Sequence, residues 1–156
     1  MLSRFASFIP FRTLKMAFYQ LRAIGFTVER PDQPHIVTDA EIEEVQRVLA
    51  EAHFTNSWEL SYRYRGEDLN MRRPLYLRDE YHWYQLHVRG FDPSDPPDTD
   101  GGSLRLHAHT ELEPTEYPKK HLAEDEFYVT EGLLRLGQVL DGEIEYEYAG
   151  VDVDDL

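Results

Sequence analysis

Apolar residues recur along this chain first at spacings of three and four and later at spacings of two, which divides it into a helical part and a strand part. Phe11, Leu14, Phe18, Leu21 and Ile24 predict an amphipathic helix from about 11 to 24, ended by Gly25. A loop through Pro31 and Pro34 follows. Thr38 and Glu41 then have the spacing of a capping box, and Ile42, Val45, Leu49 and Ala52 form the buried stripe of a second helix reaching about His53. From there the period is two. Trp58, Leu60, Tyr62 and Tyr64 predict a strand stopped by Gly66, Leu75 to Leu77 a short second one, and Tyr81 to Arg89 a third. The Pro-, Asp- and Gly-rich stretch Asp92 to Gly102 reads as a solvated loop before a strand over Ser103–His109. Leu133, Leu134, Leu136, Val139 and Leu140 suit a short helix, although Phe127-Tyr128-Val129 would equally open a strand. Glu143–Tyr148 reads as an edge strand after Asp141-Gly142.

These elements predict one α+β domain over residues 1–156. Two N-terminal helices pack on an antiparallel sheet of four or five strands, and a short helix follows. Residues 1–10 form an N-terminal arm, and the acidic residues 150–156 a frayed tail.

Register carries the chemistry. Strands adjacent in sequence usually pair, so Tyr81–Arg89 and Ser103–His109 make an antiparallel hairpin. If Leu86 and Val88 share the buried side with Leu104, Leu106 and Ala108, alternation sends His87, Arg89, Arg105, His107 and His109 to the other side. A slip of one residue would abolish that cluster. Trp83 belongs to the same face.

Composition limits what the cluster can be. With no cysteine, disulfides and thiolate sites are excluded, and any metal must rest on histidine and carboxylates. Sixteen Lys and Arg stand against thirty Asp and Glu, for a net charge of −14, and only Lys15, Lys119 and Lys120 are lysines. That balance suits a protein adapted to molar salt, and it sets a halophilic cytoplasm as the expected setting. In concentrated salt the Debye length shrinks to ~3 Å, so local charge decides binding more than net charge does. No apolar run approaches the ~18 residues of a membrane span, so no membrane association is expected. The opening segment has no small-residue cleavage site and reads as an arm rather than a signal peptide.

Two chemistries compete for the same histidines. Metal-free phosphodiester cleavage needs a base, an acid and a cation within reach of one phosphate. Arg105, His107, His109 and His121 supply the catalytic groups, with His87, Arg89, Trp83, Lys119 and Lys120 binding the substrate. No cofactor is required. Alternatively, His107 and His109 hold a metal ion completed by Glu113, with Glu111 or His121 as other candidates. The order Gly101…His107-Ala108-His109…Glu113 has the outline of the first cupin motif, but the residues from Pro114 to Asp125 displace its closing glycine. The plainer reading is a sheet face whose histidines are only tolerated. Likewise, Arg63, Arg65, Arg72, Arg73 and Arg78 are either an RNA footprint or counter-charges for the acidic parts of the fold.

The segment from Tyr81-His-Trp-Tyr-Gln-Leu-His through Arg105, His107 and His109 to Pro118-Lys-Lys-His121-Leu, then a leucine-bearing helix, resembles the TumE-like toxins of toxin–antitoxin pairs over about residues 58–141. The resemblance implies an RNA-cleaving toxin and a cognate antitoxin as partner. Where those toxins often carry Arg-x-Asp-Asn and a more His-rich stretch after the proline, this chain has Arg105-Leu-His-Ala and Lys119-Lys120-His121. The expected function is RNA binding or metal-independent RNA cleavage. A non-catalytic interaction module and a cupin-like metal-binding protein are the alternatives.

Overall fold

The computed structural model describes residues 32–57, 64–75, 83–91, 103–114, 116–117 and 127–152. Their elements are strand β1 (His35–Thr38), helix α1 (Ile42–Glu51), strands β2 (Thr55–Asn56), β3 (Glu67–Leu75), β4 (Tyr84–Phe91) and β5 (Leu104–Leu112), helix α2 (Val129–Leu140) and strand β6 (Glu147–Ala149). The strands form one antiparallel sheet in the order β2-β3-β4-β5-β1-β6. This is an α+β architecture with six strands rather than four or five. The expected N-terminal arm and helix 11–24, residues 58–63 of the expected strand, the loop 92–102, the segment with Lys119, Lys120 and His121, and the end of the tail lie outside the described residues.

One face of the sheet makes the core. Ile36, Leu69, Leu86, Val88, Leu104, Leu106 and Ala108 pack with Val45, Val48 and Leu49 of α1 and Leu133, Leu136 and Leu140 of α2. Each of the valine, leucine and isoleucine side chains contributes ~1.5–3 kcal/mol when fully buried, so this face fixes the register of every strand crossing it. Val88 stands opposite Ala108, and by alternation His87 stands opposite His109 and Arg89 opposite His107. The expected hairpin, and the expected division of its residues between two faces, are therefore the observed ones.

Three local expectations need correction. Thr38 does not cap α1; it ends β1, where its hydroxyl donates to the Glu145 carbonyl at 2.8 Å and accepts from Ala40 N, and α1 starts after Glu41 with no side-chain cap. β1 falls within the stretch read as a Pro-flanked loop, because one fully buried residue, Ile36, gives no periodicity to recognise. β3 covers Arg72 and Arg73 of the expected basic run. Alternation divides that run: Arg72 faces Glu113 at 3.5 Å, while on the core side Arg73 donates to the Ala52 carbonyl and lies over the Phe54 ring. Its guanidinium thus occupies an inward position that a leucine would make legible.

Candidate functional site

On the face opposite the core, charged and polar side chains are as deeply buried as leucines. His87 and His107 are each 2% exposed and Glu111 1%, and Glu67, Asn70, Gln85, Arg89 and His109 are also buried. Desolvating such groups is costly unless each is answered by another, so their partners define the site.

β5 runs three residues beyond His109, to Leu112, and alternation therefore adds Glu111 to the row of Arg105, His107 and His109. Glu111 lies between two histidines. Its Oε1 is 3.1 Å from His87 Nδ1, and its Oε2 is 3.2 Å from His109 Nε2. Gln85, directly opposite on β4, donates its amide to Glu111 Oε1. One donor atom from each of His87, His109 and Glu111 falls within 4.8 Å of the others. Burial alone would raise the Glu111 carboxyl, but His87 and His109, to the extent that each ring is protonated, hold the group well below the usual carboxylate range. Burial, followed by the Arg89 charge, pushes His87 down to about 3 against the pull of Glu111, so its ring is neutral.

Behind His87 a second row begins on β3. His87 Nε2 is 2.9 Å from Asn70 Oδ1, and Asn70 Nδ2 donates to Glu67 Oε1 at 2.8 Å. Arg89 donates to the same oxygen at 2.7 Å, and the Tyr64 amide donates to Glu67 Oε2 at 2.7 Å. Burial raises the Glu67 carboxyl, while Arg89 and the Tyr64 amide oppose that shift. A protonated oxygen would have to face donors on both sides, so the geometry fits the carboxylate. Rings close the rest of the site: Phe127 stacks on His109 with centroids 4.7 Å apart, His35 stacks on His107, Phe91 meets His107 edge-on, and Arg89 lies over Tyr64.

Of the residues singled out from sequence, His87, Arg89, Arg105, His107 and His109 share the face. His109 meets Glu111, whereas Glu113 sits past the end of β5 beside Arg72. His107 is sandwiched by rings, Arg105 is half-buried opposite Val37 and Phe91, and Trp83 stands half-exposed before β4 with its carbonyl accepting from Glu113 N. Lys119, Lys120 and His121 lie outside the described residues. Asn70 and Glu67 escaped sequence reading, and Gln85, which alternation puts on the face of His87 and Arg89, was given no role. Glu111 was only one of several candidates, although extending the period of two past His109 singles it out. A cleft of about 1050 Å³ lies elsewhere, lined by Asp39, Ser103, Asp141, Glu143 and Glu145 among others, and holds none of these histidines.

Compared with known proteins, the chain matches no family model, no curated protein and no solved structure.

Proposed function

We propose that the chain is a metal-binding protein whose centre is made by His87, His109 and Glu111. The observation that carries this reading is the convergence of two imidazole nitrogens and one carboxylate within 4.8 Å on adjacent strands. Ligands that each stand ~2.0–2.2 Å from one ion are ~3–3.5 Å from each other, and each histidine lies at that spacing, 3.1 and 3.2 Å, from a different oxygen of Glu111, so one ion would sit against both carboxylate oxygens. Two histidines and a carboxylate leave coordination positions for water or substrate, as catalytic centres require. The metal reading does not bring the cupin fold with it, since cupins are double-sheet jelly rolls and the described residues form one sheet with helices against it.

Titrating the metal-free protein with Co(II) or Zn(II) tests the reading. One equivalent should bind, and His87→Ala, His109→Ala and Glu111→Gln should each weaken binding by more than ~100-fold, beyond the ~10–100-fold typical of outer-shell partners. A folded wild-type protein that binds neither ion, or ligand variants that bind as well as wild type, would overturn it.

The shared face of Arg105, His107 and His109 favours a second reading, an RNA-cleaving toxin restrained by an antitoxin. Here the hydrogen-bonded His109–Glu111 pair, with His87 beside it, would serve acid–base chemistry. The two readings separate in one assay at moderate salt. RNA cleavage that survives EDTA and falls about 10²–10⁴-fold in His107→Ala and His109→Ala supports the toxin. No cleavage with or without metal removes it.

A further inference from the structure

We infer that Asn70 is the positioning residue of the His87–His109–Glu111 centre, and that it fixes His87 as the tautomer whose Nδ1 lone pair faces Glu111. The proton on Nε2 follows from hydrogen bonding alone. Its consequence, a centre selective for first-row transition-metal dications, rests on the metal reading above.

The direction of each hydrogen bond is set from the far end of the row. Glu67 has three donors around it: the Tyr64 amide on Oε2, and Arg89 Nη1 and Asn70 Nδ2 on Oε1. A carboxylate only accepts, so the Asn70 atom turned toward it must be the amide nitrogen. The other terminus of Asn70, 2.9 Å from His87 Nε2, is therefore the carbonyl oxygen. A carbonyl oxygen also only accepts, so His87 Nε2 must bear the proton. A neutral imidazole carries one ring proton, which leaves the lone pair on Nδ1, 3.1 Å from Glu111 Oε1.

Two acceptors held face to face at that distance repel, and the Gln85 amide on Glu111 Oε1 does not come between them. A cation does. Bound to Nδ1 and to the carboxylate, it replaces repulsion with attraction on both sides, and His87 still donates its second nitrogen to Asn70, the usual arrangement of a ligating histidine. The row Arg89–Glu67–Asn70–His87–Glu111 thus alternates donor and acceptor up to the point where an ion belongs. Imidazole nitrogen at two of the three donors suits first-row transition dications such as Zn²⁺ or Fe²⁺. Ca²⁺ and Mg²⁺ prefer all-oxygen shells, so the row makes them poor occupants.

The experiment has two independent readouts. The first is the tautomer of His87 in metal-free protein, read from the two ring nitrogens by long-range ¹H–¹⁵N NMR. Wild type should show the Nε2–H form alone. Asn70→Leu, which removes the acceptor, should move the proton toward Nδ1 and Glu111. The second is Co(II) affinity, which should fall ~10–100-fold in Asn70→Leu. A merely structural Asn70 would change stability without moving the proton. An Nδ1–H tautomer in wild type overturns the inference even if Asn70→Leu does not fold, as does a tautomer unchanged in a folded Asn70→Leu. If the tautomer behaves as stated but neither Co(II) nor Zn(II) binds wild type, the metal reading and the selectivity drawn from it fail, and the positioning of His87 stands. Preference for Ca²⁺ or Mg²⁺ over Co(II) overturns the selectivity alone.

Discussion

Glu67 has no exposed surface, yet it accepts from a guanidinium, an amide side chain and a backbone N–H. Such a pair adds little net stability over apolar residues of the same shape, but removing one partner leaves a buried charge behind, at a cost of about 3–5 kcal/mol. Glu67→Gln keeps the volume and loses the charge opposite Arg89, so it should destabilise by about that amount in a urea titration. Adding Arg89→Met should recover much of the loss, because the stranded cation is then gone. Additive effects of the two substitutions would show that the pair is not coupled. The double variant should still bind metal less well than wild type, since Asn70 loses the carboxylate that orients it.

α2 owes its position to one missing side chain. A Cβ on Gly132 would run into the backbone of His109 and Ala108, on the strand that carries His109 and Glu111. A Cβ on Gly137 would meet instead the hydroxyl ends of Tyr148 and Tyr146, which can swing away. Alanine gains ~1 kcal/mol of helix propensity at either place, against ~1–3 kcal/mol for overpacking where nothing yields. Gly132→Ala should therefore lower the melting temperature and weaken Co(II) binding, and Gly137→Ala should do distinctly less. Equal effects would mean that the close approach of α2 to β5 is unimportant. The same elements show what a single sequence reveals. The hairpin of β4 and β5 was legible because Leu86, Val88, Leu104, Leu106 and Ala108 alternate cleanly. β3 was not, since Arg73 occupies an inward position, Pro74 interrupts the run and the polar face is buried too. The start of α2 was obscured by Tyr128, which bridges to Thr110 like a strand residue one step before the helix begins. Of the candidate centre, the histidines followed from period two, but Asn70 and Glu67 lay on a strand that composition presented as a basic patch.

The net charge of −14 acts on the molecule as a whole. Buried pairs such as Glu67 with Arg89 are shielded from solvent ions, so salt should act mainly through repulsion among exposed acids such as Glu43, Glu44, Glu143 and Glu145. Raising KCl from about 0.1 M to about 1 M shortens the Debye length from ~10 Å to ~3 Å and should raise the melting temperature steadily. A melting temperature that ignores KCl over that range would count against adaptation to salt. Topology adds a constraint of a different kind. β1 lies between β5 and β6, and the Thr38 hydroxyl reaches the Glu145 carbonyl 107 positions away along the chain. Contacts so far apart close slowly, and strand edges wait exposed until they do. As the ribosome delivers the protein, four residues made early must stand by for neighbours made much later, and the edge of the sheet beyond β1 is the last place to fill.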